Sequence, residues 1–319
     1  MIDQTLEKLA DMALTPTHKL LRGLSGLSRT DLAALQRAWP TIDVRRRRQI
    51  TRALVEMSED DSEMVFEEVF RIVMSDTDEE ARSTAVAGLW ESTDERLVDS
   101  LITMLGQDPS SMARSAAAEV LGHFCIMAAD NRLHGGRDKR LLAALLEVFA
   151  ARGDPVNTTD VRCNALESMA VFGDDERVNA AIRQGYEDPD PAMRAGAISA
   201  MGFTFDQTWE PIILRELGSK EPEIRFEAAR AAGDLWLENA VPKLVALTQD
   251  PDSEVRLMAV GALGEIGGDQ AKVTLTQLLE SNDAELRDAA EEGLEDLRLN
   301  ESTLGFEDLL GPKKGKKPK

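Results

Sequence analysis

Two cysteines, one tyrosine and a 4% share of aromatic residues are what this 319-residue chain has least of. Cys125 and Cys163 are too few and too far apart in sequence for a disulfide scaffold or a thiolate metal cluster. Both read as small core residues in a reducing compartment, so a cytoplasmic location is expected. With so few rings, the core must come from small and aliphatic side chains, which favours close helix-on-helix packing. Long apolar runs are missing too: the longest uncharged stretch, Ala195 to Phe205, is too short to span a bilayer. The opening Met1-Ile2-Asp3-Gln4 lacks the basic and then apolar pattern of a signal peptide. Positive charge is in deficit, with 37 Lys and Arg against 58 Asp and Glu and a formal net charge of −21. That balance opposes general binding to nucleic acid or to an anionic membrane, and it suits a basic partner.

Catalytic constellations are absent as well. There is no glycine-rich phosphate loop in a strand-to-helix context, no nucleophile elbow and no cysteine cluster. Of the three histidines, His18, His123 and His134, His123 lies among Leu121, Phe124 and Cys125 and reads as a packed helix residue. Paired acids such as Glu79-Glu80 and Glu291-Glu292 read as solvated charges on turns and polar helix faces. No catalytic residue, metal ligand or cofactor site is expected.

What the chain does have is a repeat. An arginine that follows an acidic turn and precedes an alanine-rich run recurs at Arg82, Arg114, Arg162, Arg194, Arg225, Arg256 and Arg287, at intervals of 32, 48, 32, 31, 31 and 31. Three positions after each arginine stands alanine: Ala85, Ala117, Ala165, Ala197, Ala228, Ala259 and Ala290. Eight positions after it, four copies carry glycine, at Gly122, Gly202, Gly233 and Gly264. Small residues on one helix face let a neighbouring helix approach closely. Asp190 and Asp252 sit where an N-cap accepts backbone N–H bonds, and Pro191 takes the first helical position. A second helix follows in each unit, for example Ala240 to Thr248 and Gln270 to Leu279, so the units are helical hairpins. The repeated arginines lie in the first helical turn, where the macrodipole disfavours positive charge, so turn aspartates of the same or the adjacent repeat are expected to hold them as a structural ladder.

These residues resemble the HEAT-like repeat first described in phycobilisome lyases: an acidic turn, Val-Arg, two residues, Ala, then Ala-Leu-Gly. Val255-Arg256, Ala259 and Ala262-Leu263-Gly264 match it fully, whereas Ser168 and Ala170 depart from it in the fourth unit. The resemblance covers roughly residues 76 to 298 and implies an all-α fold, an α-solenoid of antiparallel helical hairpins. Related iron hydroxylases use paired His-Glu steps, and here the histidines are followed by Lys19, Phe124 and Gly135. Residues 1–75 are expected to hold capping helices at Ile2 to Leu14 and Thr30 to Trp39, then a degenerate first hairpin. Residues 299–319 are expected to form a short motif and a disordered basic tail.

Departures from the period supply the functional candidates. The one long interval, from Arg114 to Arg162, places an insertion near residues 129–140, a polar, glycine-containing, locally basic segment that reads as an exposed loop. Arg45, Arg46, Arg47 and Arg48 stand out in an acidic chain. They read either as a helix salt-bridged to the acidic segment beside it or as a docking patch for an acidic surface. After the last hairpin, Phe306, Leu309 and Leu310 read as a cap over the exposed hydrophobic edge or as a short linear motif for another protein's groove. Arg183, Trp209, Arg215 and Lys243 lie on second helices, which are expected to line the inner face. Trp209 is also read as a buried residue between hairpins.

The reading that follows is a non-catalytic protein–protein interaction scaffold or adaptor. Two alternatives stand beside it: a lyase-like or chaperone subunit acting on a tetrapyrrole-binding protein, which the resemblance alone implies, and nucleic-acid binding through the lysine tail. No membrane association is expected.

Overall fold

A computed structural model describes residues 2–310, with side chains described through residue 299, and every regular element among the described residues is helical. In chain order the α-helices are α1 (Ile2–Ala10), α2 (His18–Arg22), α3 (Arg29–Ala38), α4 (Val44–Asp60), α5 (Glu67–Val73), α6 (Glu79–Ala87), α7 (Arg96–Gln107), α8 (Ser111–Ala129), α9 (Arg137–Ala150), α10 (Thr159–Met169), α11 (Glu176–Tyr186), α12 (Pro191–Phe203), α13 (Glu210–Glu216), α14 (Pro222–Asp234), α15 (Val241–Leu247), α16 (Ser253–Ile266), α17 (Asp269–Leu278) and α18 (Ala284–Leu310). They form two compact units, Met1–Phe172 and Gly173–Lys319.

Several helix starts are written locally. The Asp78 carboxylate accepts the Ala81 N–H at 3.0 Å, Asp190 that of Ala192 at 3.1 Å, and Asp252 those of Glu254 and Val255 at 3.0 and 3.2 Å. These bonds satisfy donors that the first helical turn leaves without partners. Pro191 and Pro222 open α12 and α14 where a missing N–H costs nothing.

The helices sort into two layers within each unit. In the first, α4, α6, α8 and α10 stack in order, backed by α5, α7 and α9. In the second, α12, α14, α16 and α18 stack in order, backed by α11, α13, α15 and α17. The front layer carries the repeated arginines. Its seven period alanines, from Ala85 to Ala290, are fully buried between neighbouring front helices. Glycine tightens the stack further: a Cβ on Gly202 would lie 3.1 Å from the Ala231 Cα, and one on Gly264 would lie 2.7 Å from the Gly293 Cα.

In the second unit the front helices pack far more extensively on each other than the back helices do. Close approach of successive front helices makes this layer the main inter-repeat contact of the unit. Alanine and glycine permit the close approach within the front layer.

Candidate partner-binding surface

The arginine ladder accounts for the period. Arg82 donates from Nε and Nη2 to both Asp108 carboxylate oxygens at 2.9 and 2.7 Å, and from Nη1 to the Asp76 carbonyl at 2.8 Å. Arg225 repeats the fork on Asp250 at 2.7 Å for both bonds and reaches the Ser219 carbonyl at 3.0 Å. Arg114 reaches the Asp108 carbonyl, Asp154 and Asn157. Arg256 reaches the Asp250 carbonyl and, at 3.5 Å, Asp283. Arg194 pairs with Glu221 at 3.6 Å, Arg162 donates to the Phe149 carbonyl, and Arg287 to that of Ser281. Asp76, Asp108 and Asp250 each take one arginine on the carboxylate and the next on the carbonyl. The Arg225 fork holds the Asp250 carboxyl below its ordinary range.

Sequence reasoning missed one rung. Arg47 donates to Asp76 at 2.5 Å with both side chains buried, and Asp76 also accepts the Trp39 indole N–H at 2.6 Å. Arg47 lies 35 residues before Arg82 and is followed three positions later by Ile50 where the period has alanine, so the spacing signal is lost there. Helix geometry sends the rest of the run in different directions. Arg46 is buried and donates to the carbonyls of Asp11 and Leu14. Arg48 forks onto Asp78 at 2.9 and 2.6 Å and pairs with Glu80, which draws Asp78 below its ordinary pKa. Arg45 alone is exposed. The four arginines thus do not share a face, and Arg48 meets the acidic segment beside it.

On the back layer of the second unit, α11, α13 and α15 bring Arg183, Trp209, Arg215 and Lys243 into adjacent repeats. Trp209 is 2% exposed, with the Arg183 guanidinium 4.7 Å from its ring centroid. Arg215 lies over Tyr186, donates to the Tyr186 hydroxyl and pairs with Glu216 at 2.9 Å. Lys243 donates to the Leu214 carbonyl at 2.6 Å. These heads are engaged with their own neighbours. Phe306, Leu309 and Leu310 have side chains outside the described residues, as does the lysine tail.

The front layer of the same unit carries features that the sequence reading passed over. Phe205 and Trp236, 64% and 57% exposed, stack with ring centroids 6.5 Å apart and planes 26° apart. At the end of α12, Phe203 lies under the Arg230 guanidinium at 5.2 Å, and Arg230 also pairs with Glu227 at 2.5 Å. The Asp234 carboxylate sits over Gly202 and that of Glu265 over Gly233, since a Cβ on either glycine would collide with it. Burial raises the pKa of Asp234, Glu227 and Glu265, and the charges of Asp234 and Asp296 raise that of Glu265 further. The signal was available: residues 205, 236 and 267 are 31 apart, and so are 234, 265 and 296.

In the first unit the polar insertion connects α8 to α9. His134 Nδ1 lies 2.7 Å from Glu95, and Arg137 and Arg140 pair with Asp99 at 3.3 and 2.6 Å. His123 packs edge-to-face on Phe124. Cys125 is buried and its thiol raised by that burial, while Cys163 is half-buried. Among the described residues, no group of three His, Cys, Asp or Glu side chains is placed to hold a metal ion, and no helix is long and apolar enough to cross a membrane.

A sequence profile of HEAT repeats matches residues 66–159 and 210–295, which together make up more than half of the chain. The chain belongs to the HEAT-repeat family. Its fold is similar to that of a chain in the complex of CpcE and CpcF of phycocyanin lyase from Nostoc sp., with a TM-score of 0.55 and 17% identity over 88% of this chain and 97% of that one. Weaker similarities run to human deoxyhypusine hydroxylase, with a TM-score of 0.36 and 18% identity over 93% of this chain and 96% of that one. Kap95p, in a structure with RanGDP, gives a TM-score of 0.48 and 11% identity over 97% of this chain and 47% of that one. No curated protein sequence matches. At these identities the likeness is one of fold, an α-solenoid of HEAT hairpins.

Proposed function

We propose that this HEAT-repeat chain is a non-catalytic scaffold that binds a protein partner on the front helix face of its second unit. The observation that carries this reading is the exposed aromatic pair Phe205–Trp236 in a chain with few aromatics. Contiguous exposed apolar surface rimmed by polar groups marks interaction sites, and aromatic anchors dominate their energetics. Arg183, Arg215 and Lys243 remain candidates at the back, but their existing intramolecular bonds must be given up to any partner. The test is affinity capture from nuclease-treated native lysate, with full-length bait beside bait ending at Asn300 and mass spectrometry of what stays bound. A specific protein held by both baits supports the scaffold and its place on the hairpins. Loss on truncation moves the contact to the C-terminal segment, and recovery of nucleic acid alone or of nothing refutes the reading.

A second reading is favoured by the end-to-end fold similarity to the phycocyanin lyase chain. In it, the chain serves a tetrapyrrole-binding protein. Mixing it with bilin and an apoprotein and following visible absorbance separates the two: a new chromophore band supports this reading, and an unchanged spectrum removes it.

A further inference from the structure

Positive φ follows α12, α14 and α16 at one period of spacing, and the three positions differ in what they carry. Trp236 terminates α14 with φ of 48°: the Leu237 N–H returns to the Ala232 carbonyl at 3.0 Å, a left-handed stop for which glycine is the usual residue. Phe205 occupies the same place after α12 with φ of 53°, and one period on, Gly267 follows α16 with φ of 76°. The backbone thus asks for glycine at three equivalent positions and receives it at one. The rings at the other two do not fill the core, since both are more than half exposed and lean on each other.

The same helix ends carry carboxylates. Asp234 Oδ2 is buried without a hydrogen-bond partner, and Arg230, whose charge acts on Asp234, is already paired with Glu227. The charged neighbours that act on Glu265 are Asp234 and Asp296, both acids. Aromatic faces attract cations through their quadrupole, and carboxylates deprived of partners do so through charge. A pairing of both on an acidic chain complements a basic side chain and repels an acidic one.

We infer that the Phe205–Trp236 ledge, with Asp234 and Glu265 beside it, docks a basic segment of a protein partner, an arginine or lysine laid over the rings with its charge toward the carboxylates. This inference deepens the scaffold reading and rests on it. It assigns the partner's chemistry and the side chains that read it.

The test uses full-length protein and an octapeptide of alternating glycine and arginine as probe, titrated at 0.15 M salt by calorimetry and tryptophan fluorescence. Glutamate-for-arginine and leucine-for-arginine peptides serve as controls. The decisive variant is F205G/W236G, because glycine suits both positive-φ sites and the helix stops survive; D234N/E265Q removes the charge with the rings in place. The arginine peptide is expected to bind the parent and to bind each variant about tenfold more weakly, at unchanged helicity. Equal binding to parent and F205G/W236G overturns the inference, because the attraction is then diffuse. Equal binding of the leucine peptide also overturns it. So does a dimer by light scattering that F205G/W236G abolishes, which assigns the ledge to a second copy. A partner captured equally by parent and F205G/W236G removes this inference and the placement of the contact on the aromatic pair, and leaves only the scaffold role standing, whereas a parent that captures nothing removes all of it.

Discussion

Replacing Arg225 by methionine deletes the most completely buried fork of the ladder. The Arg225 and Asp250 side chains are only 10% and 6% exposed and are joined by two bonds of 2.7 Å, with a third from Nη1 to the Ser219 carbonyl. Breaking such a pair leaves the Asp250 carboxylate in a poorly solvated site, where the cost of losing one partner is about 3–5 kcal/mol. One compensation remains, the Asp252 N–H that Asp250 accepts at 3.0 Å, so the lower end of that range is expected. The control is Arg256→Met, whose contact with Asp283 is 3.5 Å long and half solvated; its cost should stay near 1 kcal/mol. Urea unfolding followed by circular dichroism at pH 7 measures both, and a cycle of R225M, D250N and R225M/D250N isolates the coupling. The pH dependence carries the same information. Arg225 depresses the folded pKa of Asp250, so the stabilisation is present above the unfolded carboxyl value of about 4 and is lost as pH falls through the folded value. R225M should flatten that acid limb. Equal losses for R225M and R256M, or a coupling below about 0.5 kcal/mol, would refute the ladder as a stabilising device.

Gly264→Ala should destabilise by about 1–3 kcal/mol in thermal melts, because its Cβ would meet the Gly293 backbone at 2.7 Å. Gly261→Ala, in the same helix with nothing within 4 Å, should stabilise by about 0.5–1 kcal/mol. Asp252→Ala removes a cap that accepts two N–H groups and should cost about 1 kcal/mol by urea titration. For Asp234 and Glu265, burial raises the folded pKa above the unfolded one, so ionisation penalises the native state as pH rises through about 4 and beyond. D234N/E265Q should therefore melt higher than the parent at pH 7, with the difference vanishing below about pH 4. A lower melting temperature at pH 7 would contradict the assigned direction.

The sequence by itself determined the helical hairpins and their stacking. Caps such as Asp190 and Asp252, the proline at 191 and an alanine three places beyond each arginine act within one or two helical turns, so their spacing is readable without coordinates. The need of a first-turn cation for a counter-charge was legible for the same reason; aspartates meet it at Arg82, Arg114, Arg225 and Arg256, and Glu221 meets it at Arg194. Only the tertiary structure decided which arginine of the 45–48 run turns inward. That choice depends on the phase of α4 against the Asp76 turn, which residues distant in sequence set. Packing between repeats also decided that Trp209 is core while Trp236 is surface, because the residue type is the same and only the neighbouring repeat fills or leaves open the space beside it.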